Sequence, residues 1–307
     1  MTKKSIFLLL LLFAVRMLPA QELTVASYNV RNANDSDRAA GNGWEQRSPW
    51  LCGLIRFVDF DIFGSQEVLH KQLGDMLELL PGYKYIGVGR TDGREDGEYA
   101  PIFYKAERFE LLDEGNFWLS ETPEKPSRGW DAALPRICTW GHFLDRRSGK
   151  RFWFFNLHMD HIGVQARHNG AELVMRQIAA MCSPGEAVIL TGDFNVDQTD
   201  EIYGIFTASG QLRDSYEVAA QRYAPNGTFN DFKTELKTDS RIDHIFVSAP
   251  VAVFNYGILT ETYRSPVADS DKRIKSGNFP EQVALHSYQS RVPSDHFPVV
   301  ARISLGE

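Results

Sequence analysis

The stretch AVILTGDFN, residues 187–195, places a short apolar run directly before a polar end. The run 187–190 predicts a short buried β-strand. Asp193 and Asn195 follow at the point where that strand stops. Side chains at strand ends lie on a rigid scaffold, and active sites often use such positions. The stretch therefore predicts functional residues at one edge of a β-sheet.

The same arrangement recurs where other predicted strands begin or end. The polar residues at these points are Asn29, Glu67, Asn156, His158, Asp243, His244, Asp295 and His296. Strands of a sheet deliver their ends to a shared edge, so these side chains are expected to gather there. Several carboxylates at one edge would repel each other, and a bound divalent cation offsets that repulsion. Oxygen ligands from Glu, Asp and Asn suit Mg²⁺ or Mn²⁺.

The rest of the chain alternates strand-like and helix-like segments. Predicted strands cover residues 23–30, 61–64, 83–89, 100–104, 109–118, 137–144, 151–158, 242–247, 251–259 and 297–303. Predicted helices cover residues 68–80 and 164–182, and a further one begins with Ser48 as its N-cap and Pro49 as its first residue. Many strands with few helices favour a β-rich core with helices packed outside it. No internal repeat or linker appears, which favours a single domain.

The N-terminal segment has the pattern of a secretory signal peptide. Lys3 and Lys4 precede an apolar run over residues 6–15, and Pro19 and Ala20 come before a polar stretch. The apolar run is too short for a transmembrane helix. We predict a signal peptide over residues 1–20, a catalytic domain over residues 21–307, and a secreted or periplasmic location.

Composition excludes several classes of protein. The 307 residues include 33 Lys and Arg against 40 Asp and Glu, a net charge of −7 with 43% hydrophobic residues, which is typical of a folded globular protein. The acidic balance argues against a non-specific nucleic-acid coat, but not against an enzyme that meets a phosphodiester through a metal ion. The three cysteines, Cys52, Cys138 and Cys182, cannot all pair; buried thiols are the simpler interpretation, and one disulfide stays open.

Six short motifs in order along the chain resemble those of the endonuclease/exonuclease/phosphatase superfamily, and the segment from Phe117 to Asp131 with Arg136 resembles its bacterial secreted branch. The six motifs are Ser27-Tyr28-Asn29-Val30, Ser65-Gln66-Glu67, Asn156-Leu157-His158, Gly192-Asp193-Phe194-Asn195, Arg241-Ile242-Asp243 and Ser294-Asp295-His296. The resemblance covers essentially the whole chain after the predicted leader. It implies the DNase-I-like fold, an α/β four-layer αββα sandwich in which two face-to-face β-sheets are flanked by helices.

The resemblance also implies a role for each motif residue. Asn29 and Glu67 would bind the metal, with Asp295 binding it directly or through water. Asp193 would deprotonate the attacking water, and Asn195 would hold that water or a phosphoryl oxygen. The remaining implied catalytic residues are His158, as a donor to a non-bridging oxygen, and His296, oriented by Asp243.

Substrate contacts are the less specific part of the prediction. Asn156 and Tyr104 are predicted to contact the substrate, although a strand tyrosine is more often a packing residue. Arg128 and Arg136 with Trp118, Trp130 and Trp140 fit either a substrate wall or an aromatic packing cluster, with Trp140 favoured as packing. Thr228 and Phe229 are predicted to border the site.

These residues together predict a metal-dependent hydrolase of phosphate esters. A phosphodiester or phosphomonoester would be cleaved by in-line attack of water, with Mg²⁺ or Mn²⁺ as cofactor. The substrate would be a phosphorylated small molecule, a lipid headgroup or a nucleic acid, and the protein a monomer without a stable protein partner. A nuclease acting on DNA or RNA, and a non-catalytic binding protein on the same scaffold, remain as alternatives. A zinc peptidase is excluded because no HExxH motif is present.

Overall fold

The computed structural model describes residues 22–274, 280 and 282–306. The predicted signal peptide and its cleavage site after Ala20 lie outside these residues. In the part of the chain that is described, no helix has both the length and the apolar character needed to cross a membrane.

Strands dominate the described chain. They are β1 (Leu23–Asn29), β2 (Ile62–Gln66), β3 (Tyr83–Ile86), β4 (Ile102–Lys105), β5 (Phe109–Trp118), β6 (Ile137–Asp145), β7 (Lys150–His158), β8 (Ala187–Asp193), β9 (Leu212–Asp214), β10 (Gln221–Tyr223), β11 (Asp243–Ser248), β12 (Ala252–Ile258), β13 (Tyr263–Pro266), β14 (Tyr288–Arg291) and β15 (Val299–Ser304). The helices are α1 (Asp35–Ala39), α2 (Trp44–Val58), α3 (His70–Leu79), α4 (Val164–Met181), α5 (Glu201–Ala208) and α6 (Ser215–Val218).

Over residues 22–274 and 282–306, these strands form two large sheets and a separate hairpin of β13 and β14. The first sheet has seven strands in the order β10-β12-β15-β1-β2-β4-β3, and the second has six in the order β5-β6-β7-β8-β11-β9. At the centre of the first sheet β1 runs parallel to β2, and in the second β7 runs parallel to β8. Their antiparallel neighbours β15 and β11 run the opposite way.

The two sheets pack face to face, and helices cover their outer faces. Successive side chains of a strand point to opposite faces, so β7 sends Phe152 and Phe154 into the core between the sheets and Phe155 and Leu157 outward beneath α4 and α5. Burial on both faces explains the unbroken apolar run from Phe152 to Phe155 in this strand. Each buried phenylalanine contributes roughly 2 kcal/mol. On the other side, α2 and α3 pack on the first sheet, and the predicted four-layer αββα sandwich is confirmed.

One predicted helix begins in a different place. We predicted that Ser48 caps it, whereas α2 begins at Trp44 and contains Pro49 in its interior. Trp44 and Arg47 are both buried, and the Arg47 guanidinium donates hydrogen bonds to the carbonyls of Val30 and Pro293. These long-range contacts stabilise an N-terminal turn that the local Ser-Pro signal does not predict.

The cysteines are buried free thiols. Cys52, Cys138 and Cys182 form no disulfide in the structure, in agreement with the simpler interpretation. Burial raises the pKa of Cys52 and of Cys182 to about 12, so both thiols are protonated and unreactive at neutral pH.

Candidate active site

A cleft of about 400 Å³ opens at one edge of the two sheets. Asn29 ends β1, Glu67 follows β2, and His158 and Asp193 end β7 and β8, where they are register partners. The antiparallel strand β11 begins at the same edge, with Asp243 paired to Asp193. The parallel order of each central strand pair thus brings residues that are distant in sequence to one edge.

Glu67 lies in a network of amide donors. Asn29 Nδ2 donates to Glu67 Oε1 at 3.1 Å, and the backbone and side-chain nitrogens of Asn32 donate to Glu67 Oε2 at 3.2 and 3.1 Å. Arg31 lies nearby, with Nη1 at 3.9 Å from Glu67 Oε2 and Nε at 3.6 Å from Asp295 Oδ2. Burial alone would raise the pKa of Glu67, but His296 and these donors lower it, so the carboxylate is ionised.

Backbone strain accompanies this part of the site. Arg31, Glu67 and Asn195 all have left-handed φ values, of 58°, 61° and 50°. Such conformations cost roughly 1 kcal/mol or more for residues other than glycine and concentrate at functional sites. At Glu67 the turn comes directly after β2, at the mouth of the cleft.

Asp193 lies at the centre of a cluster formed with Asn29, His158 and His296. Its Oδ2 accepts a hydrogen bond from Asn29 Nδ2 at 2.9 Å and lies 3.7 Å from Nε2 of both His158 and His296. The backbone nitrogen of Asn195 donates to Asp193 Oδ1 at 3.0 Å. Burial and the charge of Asp243, partly opposed by His296, raise the pKa of Asp193 to about 7.

The two histidines differ in protonation. His296 Nδ1 lies 2.8 Å from Asp243 Oδ2, and although burial opposes it, the charges of Asp243 and Asp193 raise the pKa of His296 well above its usual value. Burial, reinforced by Arg136 and Arg90, lowers the pKa of His158 well below that value. The cluster therefore pairs a cationic imidazole with a neutral one on either side of the Asp193 carboxylate.

The donor set fits a hard divalent cation. Four buried carboxylates lie close together: those of Glu67, Asp193 and Asp295 line the cleft, and that of Asp243 lies directly behind it. Within the described residues, Asp193, Asp243 and His296 place one ligand atom each within 4.8 Å of one another. His296 already bonds Asp243, however, so this triad serves better to orient the imidazole, and Glu67 with Asn29 and Asp295 is the better oxygen-ligand set.

The structure brings most of the predicted site residues together. Glu67, His158, Asp193, Asn195, Asp295 and His296 line the cleft, while Asn29 and Asp243 lie directly behind and bond to them. Asn195 is held by a hydrogen bond from its Nδ2 to the carbonyl of Met159 at 3.0 Å. Phe229 lines the cleft, as predicted for a bordering residue, and so does Arg136.

The predicted substrate contact of Asn156 is wrong. Asn156 is fully buried, its Nδ2 donates to the carbonyls of Ser65 and Pro101, and its Oδ1 accepts from Gln66 and Thr191. Every hydrogen-bonding group of this side chain is used inside the protein, so it ties the second sheet to the first. A Cβ atom at Gly64 would lie 2.1 Å from Asn156 Oδ1, so that contact requires glycine.

The predicted substrate contact of Tyr104 is wrong as well. Its ring packs edge-on against Phe143 at 5.1 Å in the core between the sheets, and it does not line the cleft. Side chains alternate along β4, so Ile102 and Tyr104 face the core between the sheets while Phe103 faces the outer helices.

Sequence reasoning missed several cleft residues and left the roles of Trp118 and Trp130 open. Arg31, Asn32, Arg90 and Glu98 line the cleft without belonging to any motif that we singled out. Trp118 is a packing residue whose indole donates to the carbonyl of Arg90, while Trp130 and Trp140 pack on the outer cluster of the second sheet. The only signal in the sequence was that Arg31 and Asn32 follow Asn29 by two and three residues.

Comparisons with known proteins agree with this fold. The mannosyl-6-phosphatase of Bacteroides thetaiotaomicron is 52% identical, with a TM-score of 0.84 over 92% of this chain and 99% of that one. An endonuclease/exonuclease/phosphatase from Bacteroides vulgatus is 35% identical, with a TM-score of 0.78 over 92% of this chain and 99% of that one. The catalytic domain of human nocturnin shares the fold at 17% identity, with a TM-score of 0.63 over 92% of this chain and 93% of that one.

These proteins indicate one family, whose members hydrolyse phosphate esters, usually with divalent metals. Residues 26–296, nearly the whole described chain, match the model of that family. The chain therefore belongs to the endonuclease/exonuclease/phosphatase family.

Proposed function

We propose that the protein is a secreted, divalent-metal-dependent phosphoesterase that removes phosphate from a phosphorylated sugar. The observation that carries the proposal is the position of Asp193 Oδ2, which lies 3.7 Å from both His158 and His296 and bonds Asn29, the neighbour of Glu67. One carboxylate thus connects the candidate metal ligands to both candidate proton-carrying groups.

Asp193 is the candidate base. Its raised pKa makes it a stronger base than an ordinary aspartate, and it takes a proton from water as the new phosphorus–oxygen bond forms. As the ester bond breaks, the sugar oxygen takes up a proton from solvent and leaves as an alcohol. Cationic His296, held by Asp243, and neutral His158 donate to the phosphoryl oxygens. When bound at Glu67, Asn29 and Asp295, the cation supplies Lewis-acid stabilisation of the developing negative charge.

Three observations support a sugar substrate outside the cell. The relative that is 52% identical carries the name mannosyl-6-phosphatase. A cleft of about 400 Å³ fits a small molecule rather than a long polymer, and the net charge of −7 disfavours a polyanion. Secretion is supported by the basic and apolar pattern of residues 1–20.

A substrate panel tests the proposal. Purified residues 21–307 are assayed with mannose 6-phosphate, p-nitrophenyl phosphate, bis-p-nitrophenyl phosphate, DNA and RNA, in Mg²⁺, Mn²⁺ or EDTA. We expect sugar phosphate to be turned over with metal, activity to vanish in EDTA and to return on adding Mg²⁺ or Mn²⁺. Failure to hydrolyse any phosphate ester with either metal refutes the proposal. Preferential cleavage of DNA or RNA would show that the substrate is a nucleic acid and not a sugar phosphate.

Phe229 offers a platform for the sugar. Its side chain is 42% exposed at the cleft, with its ring 5.1 Å from that of His296. An exposed aromatic face beside the phosphoryl site can stack on a sugar ring, a contact worth about 1 kcal/mol or slightly more. Phe229→Ala is expected to raise KM for mannose 6-phosphate about tenfold while kcat changes little.

Tyr223→Ala is the matched control, because Tyr223 is exposed and lies outside the cleft. Competitive inhibition by inorganic phosphate, which has no ring to stack, should be unchanged in Phe229→Ala. An unaltered KM for the sugar phosphate would remove Phe229 from the binding site.

A further inference from the structure

Arg136 is a buried arginine with one donor left free. The residue is 3% exposed and lines the cleft. Its Nε donates to Asp160 Oδ2 at 3.1 Å, and its Nη2 lies 2.8 Å from His161 Nδ1. Within the described chain, Arg136 Nη1 has no hydrogen-bond partner although it is shielded from solvent. An unpaired buried donor on a charged group costs about 1–3 kcal/mol or more, so a partner from a ligand is expected.

Asp160 holds this guanidinium rigidly in place. Its two oxygens also accept the backbone nitrogens of Ala133 and Leu134 on one side and of Ile162 and Gly163 on the other. These bonds fix the orientation of Arg136, so its free Nη1 is a preorganised donor rather than a mobile surface group.

A second buried arginine acts on the same part of the cleft. Arg90 is 6% exposed, pairs with Glu98 at 2.8 Å and is fixed by the Trp118 indole, which donates to its carbonyl. After burial, the charges of Arg136 and Arg90 are the main causes of the lowered pKa of His158. The positive charges of Arg136 and Arg90 therefore act on His158 even though Glu98 Oε2 lies 3.9 Å from its Nδ1.

The number of terminal oxygens distinguishes the possible substrates. A phosphomonoester carries up to two negative charges over three terminal oxygens, whereas a phosphodiester carries one charge over two and has carbon on the other two. A guanidinium donor satisfies an anionic oxygen well and an ester oxygen poorly. A site built around a buried donor discriminates strongly against an analogue that leaves that donor unpaired.

We propose that Arg136 Nη1, supported by Arg90, binds the third terminal oxygen of the reacting phosphate and so selects phosphomonoesters over phosphodiesters. This inference rests on the proposed phosphoesterase function and assigns the selectivity to named residues. Arg136 is then a specificity-determining residue, while Asp160 is the positioning residue behind it.

The experiment compares one monoester with one diester that share a leaving group. In Arg136→Gln, kcat/KM for p-nitrophenyl phosphate is expected to fall about 100-fold, while kcat/KM for bis-p-nitrophenyl phosphate changes by less than about threefold. Arg136→Lys keeps the charge but not the forked geometry, and should lose about tenfold on the monoester alone. Equal losses on both substrates, or no loss on either, overturn the inference.

Inhibitors give a readout that does not depend on turnover of the variant. Inorganic phosphate should inhibit the wild-type protein at least about 100-fold more tightly than dimethyl phosphate, and Arg136→Gln or Arg136→Lys should narrow that ratio at least tenfold. An equal affinity of the wild-type protein for the two ions overturns the inference even if no Arg136 variant folds.

Arg108→Gln is the matched control. Arg108 is also buried and pairs with Asp61 and Asp145, but it lies at the opposite ends of the strands, outside the cleft. We expect Arg108→Gln to lose about as much stability as Arg136→Gln. The ratio of kcat/KM for the monoester to kcat/KM for the diester should not change. A wild-type protein inactive on every phosphate ester refutes the proposed function itself, whereas an active protein whose ratio is insensitive to Arg136 refutes only this inference.

Discussion

Replacing Glu67 with alanine is expected to lower kcat/KM for the preferred phosphate ester by about 10³-fold or more, because the candidate cation loses its principal carboxylate. The fold should survive this change. The charge of Glu67 raises the pKa of both Asp295 and Glu98, so its removal relieves repulsion in the metal-free protein. The free energy of unfolding without metal is expected to stay within about 1 kcal/mol of the parent or to rise.

Activity is measured against Mn²⁺ concentration, with thermal unfolding followed in EDTA. Glu67→Ala should require far more Mn²⁺ for half-maximal activity than the parent. Asp37→Asn is the control, because Asp37, like Glu67, forms an ion pair with Arg31 but lies outside the cleft. Parental turnover by Glu67→Ala at low Mn²⁺ would show that Glu67 does not hold the metal.

Replacing His296 with alanine is expected to reduce kcat by about 10³-fold and to leave KM much less affected. His296 carries positive charge between Asp193 and Asp243, so its loss removes a charged donor from the phosphoryl group and leaves two buried carboxylates facing each other. Asp243→Asn keeps the shape of its partner but not its charge, and should cost about 10²-fold.

The double variant tests whether the two residues act as a unit. If Asp243 acts only through His296, kcat of His296→Ala/Asp243→Asn should equal that of His296→Ala within about threefold. Fully multiplicative losses would contradict the orienting role of Asp243. His70→Ala, on α3 away from the cleft, controls for the loss of a histidine as such.

Much of the fold was predictable because the strands end where polar residues begin. The predicted strands 187–190, 137–144 and 151–158 follow from apolar runs bounded by turn residues, and they are present as β8, β6 and β7, of which β6 and β7 pair as antiparallel neighbours. Parallel pairing of β1 with β2 and of β7 with β8 then gathers Asn29, Glu67 and Asp193 at one edge. The four-layer arrangement itself came from the resemblance of the motifs.

The errors arose where a strand is buried on both faces. A strand with one wet face shows alternating polarity, but β4 and β7 are covered on both sides, so polarity does not reveal which way Tyr104 or Asn156 points. Arg90 and Glu98 lie in the irregular segment between β3 and β4, where no periodicity links sequence to position. The start of α2 depended on contacts of Arg47 with residues as distant as Pro293.

The hydrogen bonds of Asn156 have a consequence for how this enzyme can change. Glu67 belongs to one half of the sandwich and Asp193 to the other, and the Asn156 amide joins those halves just beneath them. Sliding one layer over its partner would break several bonds at once, which keeps the machinery in register during a catalytic cycle. New substrate preferences are therefore expected to arise in the loops that line the cleft, such as those bearing Arg90, Arg136 and Phe229. Substitutions of Gly64 and Asn156 are expected to occur only in combination.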